Sequence, residues 1–263
     1  MDFLNSIILL TNFIVVPGIT YGSQLALGAI GVTLIYGVLR FANFAYGDLM
    51  AFGTMIVILV TWYLQSKGIS LGILPTAILA LPIGILATIA VSLFFDKTVF
   101  EYYREKKSDP VTFIVVSLGI MFVLNAVVRI IIGPQNINFM DGQKFIMKAR
   151  EFKEMTGLNE GLALKSTQLI TLVTTIITCS ILFYFLNKTK TGKSMRAYSN
   201  NEDLALLSGL DPKRIIFLTW VIVSVLASVA GTLYGLDKSF KPFTYFNNLL
   251  PIFAATIVGG IGN

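Results

Sequence analysis

The chain has 263 residues, of which 55% are hydrophobic and only 13% are charged, and its mean hydropathy is +0.78. Soluble proteins carry about 25% charged residues, so this composition excludes an ordinary soluble domain. The sequence contains no histidine, which excludes Ser-His-Asp and Cys-His catalysis and histidine-ligated metal sites. The net charge is +6, and the basic residues cluster between the hydrophobic stretches. This pattern indicates membrane topology and contact with anionic lipid, not nucleic-acid binding.

Seven spans free of Lys, Arg, Asp and Glu divide the chain, and each approaches or exceeds the roughly 20 residues that cross a hydrocarbon core. These spans are 3–39, 49–66, 68–95, 110–128, 166–187, 215–236 and 242–263. The pattern predicts an all-α, polytopic helical membrane protein with about seven apolar spans, the last of them incomplete. It predicts a single transmembrane domain over residues 1–263.

The first span is too long for one ordinary helix. Pro17-Gly18 is expected to divide it into an apolar lead, Phe3 to Val16, and a helix from Gly18 to Leu39. The lead is either an interfacial helix or a short extra crossing. Small residues recur along the second part and favour a close helix–helix seam. They are Gly18, Gly22, Ala26, Gly28 and Gly31.

The remaining helices follow in chain order, separated by polar loops. They are predicted at Leu49–Leu64, Leu71–Phe95, Val111–Ile132, Leu169–Leu186 and Ile215–Leu236, and a last one begins near Leu249. Cys179, inside the predicted helix Leu169–Leu186, is expected to be a buried apolar thiol, and as the single cysteine it can form no intramolecular disulfide. Loop 134–168 is long enough to hold a small extramembrane element.

The basic residues orient the bundle. Segments 40–48, 96–109 and 187–214 lie on one side by parity and hold 11 Lys and Arg, against 8 on the other side. The positive-inside rule therefore makes 187–214 a cytoplasmic loop and 134–168 an extracytoplasmic one.

Loop 187–214 contains two segments that resemble functional motifs. Residues 187–194 read Asn-Lys-Thr-Lys-Thr-Gly-Lys-Ser, which ends like a phosphate-binding loop. Asn187 stands where that loop needs its first glycine, and a predicted transmembrane helix precedes it in place of a strand. The chain is therefore not expected to bind ATP itself.

A short helix is predicted just after that segment, over about Asn201 to Gly209. Asparagine supplies the N-cap oxygen, Glu202 and Asp203 lie in the first turn, and Gly209 ends the helix in the left-handed conformation. Leu204 and Leu207 form an apolar face. This face lies either against a protein partner or on the lipid interface.

Residues 39–48 join the first two membrane helices and mix aromatic residues with polar ones. Asn43, Tyr46, Gly47 and Asp48 are candidates for a translocation path, because polar backbone at that depth must line a cavity or be buried in protein. A packed re-entrant turn is the alternative. Asn125, four residues before Arg129 on one helix face, is a further candidate, whereas Arg129 lies near the outer end, where an arginine also snorkels.

Several ordered segments resemble the permease subunits of branched-chain amino-acid ABC importers, the LivH type. The similarity rests on residues 28–37, 41–50, 191–197, 203–209 and 258–262, and it runs essentially end to end. Tyr46 stands where family members commonly have histidine, and Asp203 replaces the glutamate of the family's docking motif. The family continues for several tens of residues beyond the glycine-rich stretch, so a C-terminal portion is expected to be absent here.

The resemblance implies a permease subunit in a prokaryotic cytoplasmic (inner) membrane that imports branched-chain or related amino acids. The implied partners are two ABC ATPases, a second permease subunit of different sequence, an extracytoplasmic substrate-binding protein and membrane lipid. The chain would need no cofactor, would have no catalytic or metal-binding residues, and would leave ATP to its partners. The coupling residues are then Asn201, Glu202, Asp203, Leu204, Ala205, Leu207 and Gly209, and the path residues Asn43, Tyr46, Gly47, Asp48 and Asn125.

Two other classes compete with the importer. An ion-coupled secondary transporter or channel would act without ATPases, but such proteins more often carry repeated intramembrane carboxylates. A membrane-embedded enzyme would have little to work with, because there is no histidine and the acidic residues lie almost wholly in loops. Within the importer class, the sequence leaves leucine-like, broader amino-acid, amide and urea-like solutes open.

Overall fold

A computed structural model describes residues 2–72, 74–139 and 145–260, and within these ranges the chain is a helical bundle. Six of its helical stretches are long and apolar enough to cross a membrane. They are Phe3–Leu39, Tyr46–Ser66, Ala77–Glu105, Pro110–Ile132, Ser166–Lys188 and Pro212–Lys238. The predicted polytopic helical architecture is confirmed.

The described residues fold into helices, two π-helical turns and two short strands. In chain order they are α1 (Asp2–Leu10), a π-helical turn (Thr11–Val15), α2 (Val16–Leu39), α3 (Tyr46–Ser66), α4 (Ala77–Phe95), a second π-helical turn (Asp96–Phe100), α5 (Glu101–Glu105), α6 (Pro110–Ile132), β1 (Phe145–Met147), α7 (Ala149–Thr156), β2 (Leu164–Lys165), α8 (Ser166–Lys188), α9 (Lys190–Asn200), α10 (Glu202–Leu207), α11 (Pro212–Lys238) and α12 (Pro242–Gly259).

The expected division of the first span at Pro17-Gly18 is wrong. The chain stays helical from α1 through α2, and Pro17 lies in the first turn of α2, directly after the π-helical turn. Proline lacks an N–H and cannot bond to the residue four before it, and the wider π turn accommodates that loss without breaking the helix. At about 1.5 Å per residue this helix is much longer than the roughly 30 Å hydrocarbon core.

The predicted polar loop at 96–109 is also mostly helical. The second π-helical turn and α5 carry the helix of α4 on to Glu105. The Asp96 carboxylate accepts hydrogen bonds from the Trp220 indole Nε1 and from Arg104, each at 2.7 Å. Because the acidic side chain is satisfied inside the fold, the helix continues past it.

Several helices start at other residues than predicted. Helix α3 begins at Tyr46, three residues before Leu49, and α12 begins at Pro242, well before Leu249. Proline is well suited to a first helical turn, where its missing N–H has no partner to lose. Helix α4 starts at Ala77, later than the predicted Leu71. Gly72 has a φ of +63°, which a right-handed helix cannot include, so the helix begins only after it.

Helices α3 and α11 form the centre of the bundle. Buried residues make up 67% and 72% of their most apolar windows, against 11–28% in the other four membrane helices. Small residues allow this packing, since a Cβ on Gly231 would lie 2.6 Å from the Met50 carbonyl oxygen. Ser92 and Ser224 hydrogen-bond across α4 and α11 at 2.6 Å, as polar side chains do between membrane helices.

The predicted small-residue seam on α2 is only partly used within this chain. A Cβ at Gly28 would lie 2.8 Å from Ile252 of α12, and one at Gly31 would lie 2.1 Å from the Tyr46 hydroxyl. Gly18 and Gly22 face open space. The seam therefore packs against α12 and α3 in its second half only.

The loop after α6 contains the small extramembrane element that its length predicted. Strands β1 and β2 pair antiparallel, with Phe145 opposite Lys165, and α7 lies between them in the chain. The long N-terminal helix holds this element, because Asn12 donates to the Gly161 carbonyl at 2.6 Å and accepts from the Ala163 amide at 3.0 Å. Residues 140–144 of the predicted loop, and 261–263 of the predicted last span, lie outside the described residues.

The three segments predicted to share the cytoplasmic side do meet at one end of the bundle. The Arg40 guanidinium donates to the Ser199 carbonyl, and the Lys213 ammonium pairs with Glu101 at 3.2 Å. Loop 187–214, expected as a basic loop, consists largely of α9 and α10. We refer to α9 and α10 together as the docking unit, after the docking role that the sequence resemblance implies for α10.

Candidate functional site

Helix α9, which the sequence analysis did not predict, begins the docking unit. Thr189 caps it by accepting a hydrogen bond from the Gly192 amide at 3.0 Å. A Cβ on Gly192 would lie 2.2 Å from the Phe185 carbonyl oxygen, so this glycine lets α9 fold tightly onto the end of α8. The residues that end like a phosphate-binding loop are thus helical and follow a helix, as the sequence interpretation required.

Helix α10 has the ends that its sequence predicted. The Asn201 side-chain oxygen accepts from the Leu204 amide at 3.0 Å. At the other end, Gly209 has a φ of +79°, its amide donates to the Leu206 carbonyl at 2.9 Å, and the Leu210 amide donates to the Ala205 carbonyl at 3.1 Å. These two bonds form a Schellman cap, for which glycine in the left-handed region is the favoured residue.

The solvent side of α10 is apolar. Leu204 is 61% exposed and Leu207 is 85% exposed. Leu206, which the sequence analysis missed, is 42% exposed and joins them; the periodicity argument admitted only residues three apart. Asp203 is exposed beside this leucine patch. The patch therefore combines three apolar side chains with one carboxylate on a short, capped helix.

The opposite side of α10 is fastened to the bundle. Ala205 is buried in a small cluster with Val38, Met195, Tyr198 and Ile215, separate from the main core. The Tyr198 hydroxyl donates to the Glu202 carboxylate at 2.6 Å. Burial raises the pKa of Tyr198 above its ordinary value, and the hydrogen bond to Glu202 raises it further, so this hydroxyl keeps its proton. The predicted coupling residue Glu202 is thus an internal brace of the docking unit.

The second candidate site, at 41–48, is a buried turn followed by a helix start. Asn43 is 3% exposed, and its side-chain oxygen accepts from the Ala45 amide at 3.0 Å. The Phe44 amide donates to Ser117 of α6 at 3.1 Å. Irregular backbone is expected from the sequence here, and it is present, but only over residues 40–45, because Tyr46 already begins α3.

The first turn of α3 carries the other candidates, all of them buried. Asp48 is 1% exposed and accepts a hydrogen bond from the Asn125 amide at 2.6 Å. The structure thus joins two predicted residues that the sequence did not pair. A Cβ on Gly47 would lie 2.8 Å from the Tyr245 carbonyl oxygen. Arg129 is exposed and lies over the Phe243 ring at 6.0 Å, as a snorkelling arginine does.

The cavity beside these residues is small, and larger cavities lie elsewhere in the bundle. The cavity that Asn43 lines has a volume of only about 10 Å³, which is room for about one water molecule and not for an amino acid. Larger cavities lie on one face of α2: one of about 480 Å³ beside α12 and one of about 570 Å³ beside α9. Both are lined by Thr33. The face of α2 is therefore a feature that the residue patterns alone did not single out as a site.

A bundle of helices long and apolar enough to cross a membrane, with a capped, partly apolar helix on its predicted cytoplasmic side, defines a multi-pass membrane protein. The sequence model of one family, described as the permease component of the branched-chain amino acid transport system, matches residues 14–263. The chain belongs to this family.

The relatives agree with this assignment. The chain is 25% identical to the high-affinity branched-chain amino acid transport system permease protein LivH of Salmonella typhimurium, over 94% of this chain and 78% of the relative. LivH of Escherichia coli gives the same identity and coverage. The permease protein BraD of Pseudomonas aeruginosa is 26% identical over 94% of this chain and 78% of its own length. No solved structure matches the chain significantly.

Proposed function

We propose that the chain is the membrane-spanning subunit of an ABC importer for branched-chain or related amino acids in a prokaryotic cytoplasmic membrane. The observation that carries this proposal is α10, a helix braced on one side and bearing exposed Leu204, Leu206 and Leu207 on the other. An apolar patch of this kind needs a partner to cover it. The family assignment and the relatives, which are named as branched-chain amino acid permeases, support an ATPase as that partner.

The mechanism follows from how α10 is attached. Its leucine patch would enter a groove on a separate ATPase, in the way that apolar helix faces enter grooves. Ala205 and Tyr198 fasten α10 to the small cluster that Ile215 of α11 also joins. A displacement of α10 would therefore move α8 and α11 with it as levers, and ATP-driven closure of the ATPases would alternate access across the bundle.

The partners extend this proposal. Two ABC ATPases would supply the energy, since the one segment that resembles a phosphate-binding loop is helical and follows α8. A second permease subunit, of a related but different sequence, would complete the translocation path, and an extracytoplasmic binding protein would deliver the amino acid. The chain would carry out no covalent chemistry and hold no cofactor of its own. Residues Asn43, Tyr46, Gly47, Asp48 and Asn125 stay predicted path residues.

The test is a purification of the tagged, full-length protein expressed with its neighbouring genes and extracted in mild detergent. Recovery of ATPases and a second permease, together with ATP-dependent uptake of radiolabelled leucine in proteoliposomes, is the expected result. A stable chain that purifies alone and takes up leucine only under a proton or sodium gradient would overturn the importer and favour a secondary transporter.

Replacing the exposed patch localises the docking site. Leu207→Ser should lower ATPase recovery. Leu250→Ser is the matched control, because Leu250 is also strongly exposed, at 77%, but lies on α12. Equal ATPase recovery with both variants would remove α10 from the docking surface.

A further inference from the structure

The backbone at the end of α2 has an uncommon conformation. Arg40 has a φ of +61° and ψ of +24°, in the left-handed region, and its amide closes the helix by donating to the Tyr36 carbonyl at 3.0 Å. Side-chain-bearing residues rarely adopt this conformation, and they persist in it only where surrounding contacts hold them. The contacts that hold Arg40 therefore indicate what it does.

The Arg40 side chain reaches the docking unit. Its guanidinium donates to the main-chain carbonyl of Ser199, in the last turn of α9. Carbonyls in a last helical turn have no partner within the helix and carry the negative end of its dipole, so they accept well from a cation. A hydrogen bond from an ionised donor is also among the stronger kinds.

Packing joins the same two elements a second time. Val38, two residues before Arg40, is buried with Tyr198 and Ala205 of the docking unit in the small cluster. A Cβ placed on Gly37 would lie 3.0 Å from the Ser199 side-chain oxygen. The end of α2 and the docking unit thus touch through a hydrogen bond and through apolar packing.

On its other side, Arg40 leads directly into the buried turn. Phe41 is 2% exposed and packs against the rings of both Phe100 and Phe113, with centroid distances of 5.3 and 5.2 Å. Asn43 follows at once, held by its own turn. A displacement of Arg40 therefore cannot be absorbed by loose chain before it reaches residues 41–48.

We propose that Arg40 is a positioning residue that carries movement of the docking unit to residues 41–48. This inference rests on the proposed function and adds one transmission step to it. The left-handed cap turns the chain out of α2 beside α9, and the guanidinium makes the end of α2 follow α9 when an ATPase displaces it.

The first test replaces Arg40 by glycine in the complete transporter. Arg40→Gly keeps and eases the left-handed cap but removes the guanidinium, so a role confined to capping would leave coupling intact. Lys107→Gly is the matched control: Lys107 also has a positive φ, of +52°, and an exposed cationic side chain at the same end of the bundle.

The readout is uptake of radiolabelled leucine per ATP hydrolysed, in proteoliposomes that hold the ATPases, the second permease and the binding protein. With Arg40→Gly we expect recovery of the ATPases but a fall of about tenfold in this ratio, the order of loss that removal of one charged hydrogen bond produces. Arg40→Lys, which keeps a cationic donor, should restore part of it. A wild-type ratio with Arg40→Gly would overturn the proposal.

A covalent link tests the same step without depending on how well the Arg40 variants fold. Gly37→Cys combined with Ser199→Cys, in a Cys179→Ala background, should form a disulfide, because a Cβ on Gly37 would lie 3.0 Å from the Ser199 side-chain oxygen, whose place the second cysteine sulfur would take. Uptake should survive oxidation, and the disulfide should raise the ratio again in the Arg40→Gly variant. Oxidation that blocks uptake until dithiothreitol is added would overturn the proposal, since the two elements would then have to move apart.

The two levels of inference fail differently. A wild-type complex that lacks ATPases or ATP-dependent leucine uptake would refute the proposed function. A wild-type complex that couples normally, with Arg40→Gly and Lys107→Gly both unchanged, would refute only the role of Arg40.

Discussion

Gly209→Val is expected to uncouple ATP hydrolysis from uptake through the backbone alone. Gly209 has a φ of +79°, and a Cβ added there would meet no atom within 4 Å. The substitution therefore creates no clash at Cβ, and its main effect is the cost of placing a β-branched residue in the left-handed region, about 2 kcal/mol. At tenfold per 1.4 kcal/mol, the correctly capped form becomes about 30-fold less populated relative to uncapped forms.

The consequence reaches the leucine patch because the cap and the cluster share a residue. Without the cap, the bonds from Gly209 to Leu206 and from Leu210 to Ala205 are lost. Ala205 is the residue that fixes α10 in the small cluster, so α10 would no longer transmit a displacement. Membrane insertion should be unaffected, because the cap lies outside the membrane-spanning helices.

The assay is leucine uptake per ATP hydrolysed in the reconstituted complex, with two controls. Gly209→Asn should stay close to wild type, because asparagine tolerates the left-handed region. Gly119→Val adds the same side chain where a Cβ also meets nothing within 4 Å, but without a positive φ, and should be tolerated. Normal coupling with Gly209→Val, or equal losses with Gly209→Asn, would refute the argument from the cap.

Three further predictions concern docking and the buried polar residues. Leu207→Asp should weaken ATPase binding by 2 kcal/mol or more if this side chain, 85% exposed, is a hot spot, where about that loss is typical; titration of the ATPase against the purified permease measures it, and an unchanged affinity contradicts it. Asn125→Leu should lower the thermal unfolding temperature by leaving the Asp48 carboxylate buried and unpaired, at a cost of about 1–3 kcal/mol, and a double-mutant cycle with Asp48→Leu should be strongly non-additive; simple additivity would rule the pair out. Gly31→Ala should destabilise the bundle because its Cβ would lie 2.1 Å from the Tyr46 hydroxyl oxygen and 2.7 Å from the Tyr46 Cζ. Adding Tyr46→Phe removes the hydroxyl but leaves the contact with Cζ, so it should recover only part of the lost stability; no recovery at all would contradict the assignment of the clash to this hydroxyl.

The membrane helices could be predicted because the bilayer imposes a length and a composition on every crossing. Charge-free spans near 20 residues located all six membrane-spanning helices that the described residues contain. The predicted starts and ends were less accurate. Helix α4 continues past Asp96 because Trp220, 124 residues away, donates to its carboxylate, and no local pattern records such a partner.

Helix α10 shows which features neighbouring residues along the chain can predict. Asn201 and Gly209 marked both ends of α10 correctly, because a helix cap is made by residues within one turn of it. Which face of α10 is buried depends on tertiary contacts. Ala205 is buried and Leu206 is exposed because Met195, Tyr198 and Ile215 cover one side of the helix.

The sequence by itself therefore determined the class of protein, the rough positions of its membrane helices and the two caps of α10, because each depends on composition or on neighbours along the chain. Only the tertiary structure decided that Asn125 bonds Asp48, 77 residues away, and that Arg40 bonds Ser199, 159 residues away. These contacts join side chains from different helices. Their partners are set by how the helices pack, which no spacing along the chain encodes.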